Sequence, residues 1–155
     1  MLPKWHIILG ATFSLLLVLS GLIPFKGGIV VFLASFLIDF DYYLWYVVVK
    51  KDWNPFRAIK WSHKLIEKGR KIGMKKVYSK YRTPVRIFHS VLLIFFLGIL
   101  WIYVGPLFFW IMIGFIFHLF LDYVAALMEK VTIYDKVFPL FYMYFGLKKK
   151  RIDFV

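Results

Sequence analysis

The sequence predicts an all-α membrane protein, a polytopic bundle of transmembrane helices, and two observations support this prediction. Of the 155 residues, 62% are hydrophobic and the mean hydropathy is +0.75, whereas a soluble domain is usually about half apolar. The excess is concentrated in runs of about 20 residues, which is the length that a helix needs to cross a bilayer. We expect one integral membrane domain over residues 1–155, since the length leaves no room for a second.

Four apolar runs are long enough to be spans, namely residues 7–23, 29–49, 87–104 and 107–128. The segment over residues 131–147 is also apolar, but it contains Asp135, Lys136 and Pro139. Such a segment is expected to lie in the membrane interface or to be re-entrant. We therefore predict four transmembrane helices followed by an interfacial or re-entrant C-terminal helix.

A basic connection over residues 50–86 separates the second and third spans and holds more than half of the 21 Lys and Arg residues. We expect a helix within it from Pro55 to about Gly69. Because basic loops face the cytoplasm, the loop and both termini are predicted to lie on the cytoplasmic side of the cell membrane. The net charge of +13 favours anionic membrane lipid over nucleic acid as the partner.

Side chains that can bind a metal lie within or beside the four spans, at similar predicted depth on the cytoplasmic side. They are His6, Asp39, Asp41, His89, His118 and Asp122. On a helix, His118 and Asp122 share one face because residues i and i+4 are neighbours. Carboxylates in hydrocarbon need a compensating partner, and imidazole with carboxylate suits a divalent metal, zinc first, with manganese or iron as alternatives.

Two of these assignments have competing interpretations. Asp39 and Asp41 would lie about 200° apart on a regular helix, so both can bind one ion only if the helix breaks between them. Otherwise one of the two supports a ligand from outside the coordination sphere. His118 and Asp122, taken alone, are more often a hydrogen-bonded pair than a metal site, and the agreement in depth between four helices is what favours a metal.

The order of these motifs resembles that of the YdjM-type membrane-bound metal-dependent hydrolases, which are similar to the zinc-dependent phospholipase C and P1 nuclease group. The matching segments are His6, LIDFDYY, RIFHSVL and HLFLDYV. The resemblance implies an α-helical enzyme that cleaves phosphoesters with a metal cluster. Ile38 and Tyr42 stand where the family has Pro and His, and Pro84 replaces a further His. These departures imply one metal fewer or a loss of catalysis.

The sequence therefore predicts a metal-dependent hydrolase that acts on a phospholipid or another phosphoester at the cytoplasmic interface. All six of the His and Asp residues above are candidate ligands. His89 or His6 either completes the coordination sphere or acts as acid or base. Arg86 is expected to bind an anionic headgroup, and His89 and Arg86 are the candidate catalytic residues.

The alternative is a non-catalytic membrane scaffold, or a metal- or ion-binding subunit that uses its basic loop to contact lipid or nucleic acid. Buried His and Asp residues also form ion pathways through membranes. The predicted extracellular halves of the four spans carry no ionisable residue, which weighs against transport. Retention of a stoichiometric metal by the purified protein would favour the hydrolase over the scaffold.

Topology gives the first testable prediction. A reporter fused after Lys150 should report a cytoplasmic location, as should a reporter inserted within residues 50–86, because both positions are strongly basic. An external signal after Lys150, with the central loop still cytoplasmic, would make residues 131–147 a fifth span.

Overall fold

The computed structural model describes residues 3–73, 81–82, 88–129 and 150–151. These ranges contain six helices: α1 (Pro3–Leu19), α2 (Phe25–Leu37), α3 (Phe40–Lys50), α4 (Pro55–Ile72), α5 (Val91–Tyr103) and α6 (Pro106–Met128). Two short strands, β1 (Tyr81–Arg82) and β2 (Lys150–Arg151), pair in parallel. The prediction of an all-α fold is confirmed for the described part of the chain.

Two helical segments, Phe25–Lys50 and Pro106–Met128, are long and apolar enough to cross a membrane. The first consists of α2 and α3 with a two-residue turn between them. The apolar helices Trp5–Leu19 and Val91–Tyr103 are shorter, so the count of four spans stays a prediction. The predicted helix in the basic loop is confirmed as α4, whereas residues 131–147 lie outside the described residues.

The chain divides into two compact units, each assembled from two separate stretches of sequence. Met1–Asp39 and Val91–Ala125 form the first unit, and Phe40–Ser90 and Ala126–Val155 form the second. The first contains α1, α2, α5 and most of α6, and the second contains α3 and α4.

In the first unit, α1 packs against α2, and small residues let the helices approach closely. A Cβ atom at Gly10 of α1 would overlap the Ser35 side chain of α2. A Cβ at Gly114 of α6 would lie 2.5 Å from the Val31 carbonyl oxygen and 3.1 Å from the Ser35 amide nitrogen. Small residues at such contacts are typical of membrane helices, where close packing rather than hydrophobic burial drives association.

In the second unit, α3 and α4 pack through Tyr46, Val47 and Ala58. Asp52 fixes the connection between the two helices by accepting hydrogen bonds from the Tyr46 hydroxyl at 2.5 Å and the Asn54 amide at 3.0 Å. The hydrogen bond from Tyr46, with those from Asn54 and Arg57, holds the pKa of Asp52 below its ordinary value. The Asn54 side chain caps α4 by accepting from two backbone amides.

The close contact at Gly114 predicts a stability difference between two helical glycines. Gly114→Ala should lower the midpoint of thermal unfolding in detergent, because overpacking a tight contact costs about 1–3 kcal/mol. Gly98→Ala is the matched control, since its Cβ would meet only the Met112 Sδ at 3.8 Å. Alanine there should be neutral or slightly stabilising. Equal midpoints for the two variants would contradict the close packing of α6 on α2.

Candidate metal centre

Four of the predicted ligands lie together in the first unit. His6 comes from α1, Asp39 follows α2, and His118 and Asp122 come from α6. His6, His118 and Asp122 are buried at 1%, 0% and 4% exposure. The Asp39 side chain keeps 20% of its surface exposed, so Asp39 is the least buried member of the cluster.

The helix break that would let Asp39 and Asp41 bind one ion is present. α2 ends at Leu37 and α3 begins at Phe40, and the Asp39 amide donates to the Phe36 carbonyl at 3.2 Å in a tight turn. The break frees the two carboxylates from the spacing of a regular helix. Asp39 joins the cluster of the first unit, whereas Asp41 lies in the first turn of α3 in the second unit.

The two imidazoles of the first unit lie against its carboxylates. His6 Nε2 is 3.4 Å from Asp122 Oδ1. His118 Nε2 is 3.7 Å from Asp39 Oδ1 and 3.9 Å from Asp122 Oδ2. The rings of His6 and His118 are stacked, with centroids 4.1 Å apart. The prediction that His118 and Asp122 share one helix face is therefore confirmed.

A backbone carbonyl determines which nitrogen of His118 carries a proton. His118 Nδ1 lies 2.7 Å from the Ser35 carbonyl oxygen. A carbonyl oxygen can only accept, so Nδ1 must be the donor. In the neutral ring, Nε2 then has a lone pair that is directed at the same space as the oxygens of Asp39 and Asp122.

A cation among these acceptors, either a proton on Nε2 or a metal ion, would compensate the charge of the carboxylates. The distances of 3.7 and 3.9 Å are too long for hydrogen bonds. They suit ligands of one ion, because two ligand atoms can lie up to about 4 Å apart when each bond to zinc is about 2.0–2.2 Å long. The separations are therefore compatible with coordination of one ion.

His6 provides a second observation that fits a metal. Its Nδ1 is buried and has no hydrogen-bond partner among the residues that the structure describes, and leaving a buried polar atom unsatisfied costs about 1–3 kcal/mol. His6, Asp39 and His118 together offer three ligand atoms that lie within 4.8 Å of one another. These buried histidine and aspartate groups could hold a metal ion.

The second unit contains a different pair. Asp41 Oδ2 lies 3.1 Å from His89 Nδ1 and accepts from the Phe88 amide at 2.8 Å. Both side chains are buried, and Tyr42 contacts the His89 ring edge-on. An aspartate that accepts from Nδ1 fixes the tautomer and leaves Nε2 as the basic nitrogen. The sequence offered such a supporting role to one of the two aspartates on an unbroken helix, and Asp41 has this arrangement although the helix is interrupted. Direct coordination by Asp41 and His89 stays a prediction.

Two residues distinguish the predicted site from the described one. Arg86, the predicted headgroup ligand, lies outside the described residues, so its role stays a prediction. Ser35, whose carbonyl orients His118, was not identified from the sequence. A backbone carbonyl belongs to every residue and leaves no pattern in the sequence. The small residues Gly10, Ser35 and Gly114 were the only available signal that the helices approach closely there.

Comparison of the chain with protein-family models, with curated proteins and with solved structures finds no match. The case for a metal centre is therefore based on the geometry of His6, Asp39, His118 and Asp122. The resemblance to the YdjM-type hydrolases stays a proposal.

The hydrogen bond to Ser35 predicts the tautomer of His118. In ¹⁵N spectra of histidine-labelled protein in detergent near neutral pH, Nδ1 of His118 should be protonated and Nε2 should be the unprotonated or metal-bound nitrogen. The chain has four histidines. The signal of His118 is identified as the one that is missing from the spectrum of His118→Gln. A ring protonated only at Nε2 would show that the Ser35 carbonyl does not hold it.

Proposed function

We propose that the protein is a membrane-embedded, metal-dependent hydrolase of phosphoesters whose metal is held by His6, Asp39, His118 and Asp122. The observation that carries the proposal is the Nε2 of His118, which shares one space with the carboxylates of Asp39 and Asp122 at 3.7 and 3.9 Å. Zinc is the proposed ion because it accepts nitrogen and oxygen ligands at such sites, and manganese or iron are the alternatives.

The chain's own residues prepare the site for this chemistry. The Ser35 carbonyl holds the His118 ring so that Nε2 is directed at the carboxylates. Asp122 offers one oxygen toward His6 and the other toward His118. A divalent ion at this place would supply a Lewis acid for a phosphoryl oxygen and lower the pKa of a water molecule. The partly exposed Asp39 gives water and substrate a route to the centre.

The membrane placement of all four apolar helices is part of the proposal. α1 and α5 are 17 and 13 residues long, so α5 would need flanking residues to reach across the bilayer. Their surfaces support the placement, because Leu19 is 74% exposed and Phe95 is 67% exposed. Large apolar side chains exposed in such number are covered by lipid in a membrane protein. The basic loop and both termini would face the cytoplasm.

The substrate and the proton-transfer group follow from the resemblance to the YdjM-type hydrolases, which supports phosphoester chemistry at headgroup depth. A phospholipid or another phosphoester is the proposed substrate. His89 is the proposed acid or base, since a neutral ring that donates from Nδ1 to Asp41 carries its basic lone pair on Nε2. Arg86 is the proposed contact for an anionic headgroup.

One observation favours a second candidate function, a metal-binding membrane scaffold without catalysis. The centre offers four protein side chains, and three of them are almost fully buried. Structural zinc sites are filled by four protein ligands, whereas catalytic sites keep one position for water or substrate. If Asp39 completes the coordination permanently, the ion would stabilise the helices and would not activate water.

Replacement of one carboxylate tests the metal centre. Asp122→Asn preserves the side-chain shape and removes its charge, so metal affinity, measured by elemental analysis after dialysis against graded chelator, should fall by at least about tenfold. Hydrolysis of bis-p-nitrophenyl phosphate and of a short-chain phospholipid should fall in parallel. Glu67→Gln is the control, because its side chain is 69% exposed and its surface ion pair with Lys71 contributes little.

The same measurements separate the two candidate functions. Hydrolysis that tracks metal content supports the enzyme. Full metal occupancy without hydrolysis of either substrate, together with a lower unfolding midpoint after chelation, would identify the ion as structural. Unchanged metal content in Asp122→Asn would contradict the proposed centre for both functions.

A further inference from the structure

Helix α4 has two apolar faces, and in the described part of its unit one of them packs against α3. Ala58 and Trp61 pack against Tyr46 and Val47 of α3. On another side of the helix, Phe56 is 75% exposed and Ile59 is 54% exposed. Trp53, just before the helix, is 72% exposed. Phe56 and Ile59 are three residues apart and therefore lie on one side of the helix, and Trp53 adds an exposed aromatic ring just before its N-terminus.

Basic side chains border this exposed apolar face. Phe56, Lys60 and Lys64 follow one another at intervals of four residues, so they form a row along the helix surface. Arg57 lies next to this row, and the only acidic residue of α4 is Glu67. Apolar and aromatic residues beside Lys and Arg are characteristic of helices that lie in the headgroup layer of a bilayer.

The position of α4 in the chain agrees with that environment. α4 begins at Pro55, shortly after the candidate span Phe25–Lys50 ends. The connection is held in place, since the Tyr43 hydroxyl donates to the Trp53 carbonyl at 2.8 Å. Trp53 is thus fixed near the end of a candidate span, where tryptophan is enriched at membrane–water interfaces.

We infer that Trp53, Phe56 and Ile59 insert into the headgroup layer of an anionic bilayer, with Arg57, Lys60 and Lys64 contacting lipid phosphates. The inference rests on the membrane placement proposed above and does not depend on the metal. It assigns α4 a lipid-binding surface that gathers anionic headgroups beside the end of the span. Attraction of this kind increases with the number of basic residues and weakens as salt screens it.

The chain has no cysteine, so a single introduced cysteine gives one labelling site in the full-length protein. Nitroxide labels at Phe56→Cys and Ile59→Cys report on the proposed inserted face, and a label at Lys64→Cys reports on the basic side. Val48→Cys is the control for membrane placement, because Val48 lies within the candidate span and is 72% exposed. Accessibility to oxygen and to a water-soluble nickel complex is measured in nanodiscs with and without anionic phospholipid.

The expected result in anionic nanodiscs is a higher ratio of oxygen to nickel accessibility at positions 56 and 59 than at position 64. The ratio at positions 56 and 59 should fall without anionic lipid or at high salt. Labels at 56 and 59 in water, with the label at 48 in lipid, would overturn the inference and leave the membrane placement intact. A label at 48 in water would overturn both.

A third outcome would also overturn the inference. Labels at 56 and 59 that are immobile and inaccessible to both reagents in every lipid would show that protein covers this face. None of these outcomes alters the expected metal content, so failure of the lipid surface is distinguishable from failure of the metal centre.

Discussion

The burial of carboxylates among apolar helices is the constraint on which the rest of the first unit depends. Asp122 is 4% exposed, and its neighbours His6 and His118 are 1% and 0% exposed. An ionised carboxylate taken out of water needs a partner of opposite charge or a metal ion. His6, Asp39 and His118 offer ligand atoms within 4.8 Å of one another, close enough for one ion to bind all three.

The orientation of that cluster depends on how closely the helices approach. Gly10 and Gly114 allow α1 and α6 to lie against the part of α2 that contains Ser35. Only when the helices are this close can the Ser35 carbonyl oxygen accept the hydrogen bond from His118 Nδ1, at 2.7 Å. A contact between backbones, made possible by small residues, thus determines which nitrogen of a buried histidine is available to a metal. This one hydrogen bond depends on the packing of the helices and fixes the tautomer of the His118 ring.

The proposed metal centre and the proposed lipid surface of α4 rest on separate observations, and both proposals concern phosphate groups at a membrane. A centre of histidine and aspartate suits the hydrolysis of a phosphoester. The exposed aromatic and basic side chains of α4 suit a layer of anionic headgroups. A phospholipid or a related membrane phosphoester carries both the bond to be cleaved and the charge to be attracted. Together the two proposals predict a substrate that is met at the membrane rather than one that diffuses freely in water.

The sequence by itself determined the features that depend on near neighbours in the chain. Apolar runs predicted the helices, Pro55 marked the beginning of α4, and the spacing of His118 and Asp122 placed them on one helix face. It also showed that Asp39 and Asp41 lie about 200° apart on a regular helix, so that one ion could bind both only if the helix broke between them. These predictions succeeded because the spacing of residues on a helix is fixed by its backbone hydrogen bonds.

Only the tertiary structure decided how the polar residues are grouped. It placed Asp39 beside His118 and Asp41 beside His89, although only one residue separates the two aspartates in the sequence. It stacked His6 on His118 and placed the Ser35 carbonyl against Nδ1. These contacts join residues far apart in the chain, and they depend on how the helices cross and at what depth. A single sequence contains no local pattern for either property, and a backbone carbonyl has the same chemistry in every residue.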